Sequence, residues 1–455
     1  VALFIGIDLG TSGCRAIAID EQGETRASAV TSLPTPIRIN HGVEQDPTLW
    51  WEAACTCLSD ITTRINPHDV VAIAVDGTSA TLLLTDADGS PLTPALMYND
   101  ARAKQQAEII AQIAPTNTAA QGASCALAKL LWFYQDEHIK GETLKKVRYA
   151  QHQADWVTAK LCNRFGLCDI NNGMKLGFDA EHNEWPLWLS NLLNQKKIPL
   201  NILPKVVAPG TVVGQLTTDL AQQFNLPANT NIVAGTTDST ASFIATGATN
   251  VGDAVTALGS TLVLKVISDT PVFAPEFGVY SHPLTIVTAN NDEGQRWLVG
   301  GASNSGGAVL KQFFTTQQLQ EMTPLLKPNT PTELHYYPLP AIGERFPIND
   351  IHKSPEIEPR PENDVIFFQG ILEGIASIEA RGYELLTKLG APDPVTIRTT
   401  GGGAKNKAWT TIRENMIREN MLNYEGINPN FLDATHTEAA YGTALIARSQ
   451  HPIST

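Results

Sequence analysis

From Val1 to Ile7 the chain is almost continuously apolar, turns polar at Asp8 and through Leu9-Gly10-Thr11-Ser12-Gly13, and becomes apolar again from Cys14 to Ile19. Two short apolar runs on either side of a tight turn predict a β-hairpin with Asp8 at its mouth. The pattern returns half a chain later, where Ala254 to Ile267 repeats strand, Leu258-Gly259-Ser260-Thr261 turn and strand. A repeated hairpin predicts two related domains whose turns face one cleft.

Between the hairpins, Thr25 to Ser32 reads as a third strand. Trp50, Ala54 and Leu58 share one face of a helix that Asp46 caps and Pro47 starts. Val70 to Val75 is apolar without alternation, as in a strand buried on both faces, and it ends in Asp76-Gly77-Thr78-Ser79, where α/β sheets place ligands. Leu127 to Trp156 predicts mostly helix, and Asp169 to Asp179 a polar loop. Asn231 to Ala234 predicts a strand leading through Gly235-Thr236-Thr237-Asp238 into a helix from about Ser239. The small, polar run Thr246 to Gly252 marks the boundary, giving an N-terminal domain 1–247 and a C-terminal domain 248–455.

In the second domain Gly300 to Gly307 predicts a loop before a helix carrying Val309, Leu310 and Phe313. Eight prolines between Lys327 and Asp364 predict an extended connection. Ile371, Leu372, Ile375, Ile378, Leu385 and Leu386 mark a long amphipathic helix. Val395 to Arg398 is a strand ending at Thr399-Thr400-Gly401-Gly402-Gly403-Ala404, and a last helix runs from Thr437-Glu438 through Leu445.

Composition narrows the function classes. The 455 residues exceed the 250–300 or so that one hydrophobic core serves, which supports two domains. A net charge of -14 with no Lys/Arg-rich run excludes a general nucleic-acid or anionic-membrane surface. No window approaches the ~20 apolar residues of a membrane span, and Asp8 within the first apolar run argues against a signal peptide. All six cysteines lie between Cys14 and Cys168 without C-x-x-C spacing, so the expectation is a reduced protein with neither a disulfide framework nor a zinc site. That places it in the cytoplasm, or in a reducing organelle after removal of a transit peptide. His152 and His436, each without a partner at metal spacing, are read as structural.

The candidate chemistry starts at the turns. Gly10 and Gly13 allow backbone N–H groups to crowd round phosphate oxygens, and Asp8 could hold the accompanying metal, although the same residues also suit an ordinary hairpin turn. Asp238 has the chemistry of a general base but also that of a helix N-cap. No G-x-x-x-x-G-K-[ST] is present, which excludes the P-loop class, and no G-x-G-x-x-G supports a dinucleotide fold.

Taken in order, Asp8-Leu9-Gly10-Thr11-Ser12, Glu44-Gln45-Asp46-Pro47, Asn99-Asp100, Gly235-Thr236-Thr237-Asp238, Leu258-Gly259-Ser260-Thr261, Gly343-Glu344-Arg345-Phe346-Pro347, Gly401-Gly402-Gly403-Ala404 and Glu438-Ala439-Ala440 resemble the FGGY carbohydrate kinases of the actin-like ATPase superfamily. The resemblance implies two ribonuclease-H-like α/β domains with an active-site cleft, the sugar mainly against the first and ATP against the second. It assigns catalysis to Asp238 as base, with Asp8 and Thr11, and Mg²⁺ to Asp8 and Asp238. ATP is assigned to Gly10, Thr11, Ser12, Gly259, Ser260, Thr261, Gly306, Gly402, Gly403, Ala404 and Asn406. Asp8, Ser79, Asp238 and Lys175 are assigned to the sugar, with a solvated surface role for Lys175 equally open.

Asp76 to Ser79 stands where xylulose kinases of the family carry Gln-Met-His-Gly and glycerol kinases an Arg-Glu pair. The Asp-x-Thr-Ser pattern, with Asn171 to Lys175, is similar to the ribulose-kinase branch and to cyanobacterial and plant sugar kinases once labelled xylulose kinases. The expectation is therefore ATP-dependent phosphorylation of D-ribulose to D-ribulose 5-phosphate. D-xylulose is the alternative acceptor, glycerol a weaker one, and a nucleotide-dependent binding protein without turnover the rival from another class. The resemblance leaves a homo-oligomer open.

Overall fold

The computed structural model describes residues 1–135, 141–284, 295–421, 429–449 and 451. Residues 136–140, inside the stretch predicted as mostly helical, lie outside the described residues. The chain divides into two compact units, one formed by 1–245 together with the chain from 438 onward, the other essentially by 246–437. The final helix therefore departs from the sequence-based division at 247/248, because it packs with the first unit. Among the described residues no helix is long and apolar enough to cross a membrane.

The first unit is built on a six-stranded mixed sheet. Leu3–Leu9, buried throughout, pairs antiparallel with Gly13–Asp20, which pairs antiparallel with Thr25–Ser32. On its other side Leu3–Leu9 runs parallel to Val70–Gly77, and that strand runs parallel to Asn231–Val233. The helix Pro47–Thr62 starts as predicted, with Asp46 accepting a 2.9 Å hydrogen bond from the Thr48 amide. It buries Trp50, Ala54 and Leu58 in the main core. On the opposite face lies the final helix, Ala439–Arg448, whose backbone presses on the sheet. A Cβ on Gly6 would stand 2.1 Å from the Ala440 carbonyl oxygen, so only glycine admits that contact.

The second unit repeats the topology. Asp253–Leu258 and Leu262–Ser268 form the second hairpin, Arg296–Ser303 adds antiparallel to it, and Thr396–Thr400 lies parallel to Asp253–Leu258 with Asn430–Asp433 beyond. In both sheets the first three strands are antiparallel neighbours and the fourth and fifth are parallel additions on the far side of the first. Gly300 and Gly301, expected in a loop, instead lie inside the strand Arg296–Ser303. Gly301 makes room there for the Phe346 ring, which would be 2.4 Å from an added Cβ. The long helix Asp364–Lys388 buries Ile371, Leu372, Ile375 and Ile378, with Asn363 accepting from the Val365 amide at its start. From Leu326 to Asn363 the chain contains no helix and only isolated bridges, as its prolines predict.

Candidate functional site

Two neighbouring parallel strands of the first unit carry acidic residues at their ends, and the loop that follows a third leads to another acid at a helix start. Asp8 lies opposite Asp76 in register, and the pairing between the fourth and fifth strands is extended by a bridge between Gly77 and Thr237, which sets Asp238 beside them. The helix Asp238–Ala245 begins at Asp238 itself, one residue earlier than predicted, and its carboxylate accepts a 2.7 Å hydrogen bond from the Ser239 amide. Asp8 is only 6% exposed and has Arg15 Nη1 at 3.6 Å from Oδ2.

Asp76, absent from the predicted site residues, is completely buried. Its Oδ2 accepts from the Thr443 hydroxyl of the final helix, while Oδ1 makes no well-directed hydrogen bond among the described residues. Burial, then the neighbouring Asp8 charge, holds the Asp76 carboxyl well above the ordinary carboxylate range, and the more distant Asp238 pushes the same way. Burial also raises Asp8, partly opposed by its interaction with the Asp76 carboxyl and then by Arg15. Two carboxyls this close resist ionising together, so Asp8 and Asp76 act as one proton-sharing unit unless a cation joins them.

Next to the acids lies a polar lining. Gln153 Oε1 accepts from both the Thr78 amide (2.9 Å) and the Thr78 hydroxyl (2.7 Å), and Asn171 donates to the Thr236 hydroxyl at 2.9 Å. Ser79 Oγ, a predicted sugar ligand, is buried in the turn after the fourth strand and has no hydrogen-bond partner among the described residues. Ala80, immediately after it, has φ 63°, the left-handed region. Its carbonyl oxygen and that of Met97 each accept from Lys129 Nζ at 2.8 Å. Burial lowers Lys129 to about 7. Lys175 is half-buried, and desolvation of its ammonium lowers it to about 8.

The predicted polar loop from Asp169 is instead a pair of short helical turns, Ile170–Gly173 and Met174–Leu176. Asp169 causes this by capping the Asn171 and Asn172 amides through one carboxylate oxygen. A second correction concerns His152. It is not alone: Asp155 and Cys168 converge on it, and the three offer ligand atoms within 4.8 Å of one another.

The glycine turns differ in what requires them. In the first, the Gly10 amide donates to the Gly13 carbonyl at 3.0 Å, leaving Thr11 half-buried and Ser12 exposed at the tip. A Cβ on Gly13 would meet Thr31 O at 2.9 Å, so strand packing alone accounts for that glycine.

In the second unit three turns come together. Gly259 donates to Thr261, while Gly307 and Ala308 donate to the Gly259 and Ser260 carbonyls at 2.9 and 3.1 Å. Gly306 sits over Ser260 and Thr261, and Gly401 (φ 84°) over Leu258. Gly403 packs against Trp409 and Leu258, but a Cβ on Gly402 would meet nothing within 4 Å, so no internal contact demands glycine there. Ala404 lies in the same short turn, Gly402–Lys405, and Asn406 Oδ1 accepts from the Trp409 amide, starting the helix Lys407–Met421. Open space above a backbone that lacks side chains suits a flat ring or a phosphate.

Residues 3–245 match the N-terminal domain, and residues 254–420 the C-terminal domain, of the FGGY family of carbohydrate kinases. A curated relative, the xylulose kinase of Staphylococcus xylosus, is 24% identical, with 98% of this chain and 90% of the relative covered. A solved structure from Brucella ovis, described as a xyloylose kinase, superposes with a TM-score of 0.83 at 21% identity, covering 99% of this chain and 92% of the other. Plasmodium falciparum glycerol kinase with ADP reaches the same TM-score at 14% identity, covering 98% and 89%. Equal scores for kinases of different name mean that the likeness fixes the fold and leaves the acceptor open.

Proposed function

The chain belongs to the FGGY family of carbohydrate kinases, and from that premise we propose that it transfers the γ-phosphoryl group of ATP to the terminal hydroxyl of a ketopentose, with D-xylulose the first acceptor. The observation that carries the chemistry is the convergence of Asp8 and Asp76, paired on adjacent parallel strands, with Asp238 at the helix start beyond the Gly77–Thr237 bridge. In this reading Asp238, the least buried of the three, accepts the proton of the sugar hydroxyl as that oxygen bonds to the γ-phosphorus. The bond from phosphorus to the bridging oxygen breaks, and ADP leaves. Asp8 and Ser79 would hold sugar hydroxyls, and Lys175 would lie near the pocket wall.

The donor set suits a hard divalent cation. Asp8 and Asp238 offer carboxylate oxygens without nitrogen or sulfur, and the buried Asp8 and Asp76 carboxyls, raised chiefly by desolvation, would be stabilised in their ionised form by a cation. Mg²⁺ held there would neutralise charge on the transferring phosphate. The open backbone at Gly402, with the turns at Gly259–Thr261 and Gly306, supports binding of the nucleotide at the second unit's own strand ends.

D-xylulose rather than D-ribulose heads the acceptors because curated relatives spanning nearly the whole chain carry the name xylulose kinase. D-ribulose is the second reading, favoured by the Asp76-Gly77-Thr78-Ser79 sequence, in which Asp76 is a buried carboxyl. The deciding experiment is coupled ADP release with Mg²⁺-ATP against D-xylulose, D-ribulose, L-ribulose, glycerol and no sugar. The highest kcat/KM is expected for D-xylulose. A clear preference for D-ribulose would transfer the assignment to the second reading, and ADP release that ignores every sugar would overturn the kinase assignment.

A further inference from the structure

The strand Tyr149–His152 runs straight into the helix Gln153–Cys162, and the strand Leu167–Asp169 passes beside the helix start. This brings His152, Asp155 and Cys168 to one buried point. Cys168 Sγ lies 3.6 Å from His152 Nδ1, and Asp155 Oδ2 lies 3.3 Å from the same nitrogen. Oδ2 makes no well-directed hydrogen bond among the described residues, while Asp155 Oδ1 is held by the Asp169 amide at 3.1 Å. The carboxylate is thus fixed with its unsatisfied oxygen turned towards sulfur and nitrogen.

We propose that His152 Nδ1, Asp155 Oδ2 and Cys168 Sγ form a structural zinc site. Around a tetrahedral zinc, bond lengths of about 2.3 Å to sulfur and about 2.0 to 2.1 Å to nitrogen or oxygen place sulfur and nitrogen about 3.5 Å apart, and nitrogen and oxygen about 3.3 Å apart. The observed separations agree with both. Thiolate, imidazole and carboxylate together select a borderline-soft divalent ion over Mg²⁺. On binding, the Cys168 S–H bond breaks, its proton goes to solvent, and a sulfur–metal bond forms. The two anionic ligands then cancel the charge of the ion, so the buried cluster is neutral. The Asp169 carbonyl oxygen, 3.2 Å from Sγ, is a further oxygen beside the cluster.

Such a site would staple together the segments that carry the polar lining. Gln153 directly follows His152 and holds Thr78, and Asn171 follows Cys168 by three positions and holds Thr236. The ion would thereby fix the lining without touching the acceptor.

The test is cobalt substitution of the full chain after exposure to a chelator and its removal. One equivalent of Co²⁺ should give the intense ligand-field absorption of a tetrahedral ion with a sulfur-to-cobalt charge-transfer band, and one equivalent of Zn²⁺ should erase both while excess Mg²⁺ leaves them intact. Cys168→Ser should lose the charge-transfer band. Asp155→Asn, which keeps the thiolate, should retain the band and weaken Co²⁺ binding by about tenfold or more. No band in the unmodified chain at several equivalents of Co²⁺, or a band that persists in Cys168→Ser, would overturn the site.

Discussion

The two sheets repeat one topology but treat buried charge in opposite ways. In the first, the pair between the first and fourth strands is Asp8 with Asp76, two carboxyls whose neighbours leave them in mutual conflict. In the second, aligning the turns sets Ala257 in the place of Asp8, and the strand pair one step earlier is Thr256 with Thr399. Those hydroxyls serve a closed ion pair beneath the sheet. Thr256 donates to Glu379, Arg413 donates to Thr399, and Arg413 grips both Glu379 oxygens at 2.6 Å with neither side chain exposed. A carboxylate satisfied by its own protein has nothing left to offer a ligand. One left in conflict waits for a metal, a proton or a hydroxyl from outside.

On that difference, removing charge from the first site should damage turnover, and removing it from the second should damage stability. The largest effect is expected at Asp238. Asp238→Ala should lower kcat by about 10²- to 10⁴-fold, the usual contribution of a general base, with ATP binding intact by calorimetry. Near-normal turnover would remove Asp238 from the role. Next comes Glu379→Gln, which strands Arg413 and should cost about 3–5 kcal/mol in denaturant unfolding, whereas the double replacement Glu379→Leu with Arg413→Leu should recover most of the loss. A single variant as stable as the parent would show that the pair is not closed in solution.

Asp76→Asn should act more mildly and in the opposite sense on stability. A carboxyl whose folded pKa is raised binds its proton more tightly in the folded chain, so stability is highest below the unfolded value of 3.8 and falls as pH rises towards the raised value. The urea midpoint of the parent should therefore decline on going from acid to neutral pH, and Asp76→Asn should flatten that decline while slowing turnover. An unchanged slope would place the shared proton elsewhere. The smallest effect is expected at Gly402→Ala: unfolding should move by no more than about 0.5 kcal/mol, since the methyl group enters open space. The KM for ATP should nonetheless rise several-fold, and an unaltered KM would free that position from the nucleotide.

These contrasts were unequally legible in the sequence. Both hairpins, the helix capped by Asp46 and the proline-rich connection rest on neighbouring residues, so pattern alone revealed them. Asp8 and Asp238 were visible because each ends an apolar run beside small residues. Asp76 was seen only as part of a turn, for its defining partners are Asp8 and Thr443, the latter 367 positions away. The His152 cluster was hidden for the same reason. Its i, i+3 pair begins a helix, but its sulfur arrives from a separate strand. The capped turn at Asp169 required knowing that a single carboxylate could satisfy two successive amides.

The return of Ala439–Arg448 to the first unit has a consequence for how the protein is made. On the ribosome, the strands bearing Asp8 and Asp76 are synthesised hundreds of residues before the helix whose Thr443 partners Asp76 and whose backbone closes over Gly6. During that interval one face of the nascent sheet lacks its cover. The buried acid also lacks its hydroxyl, so the acidic half of the proposed site reaches its final form only after residues 439–448 have emerged.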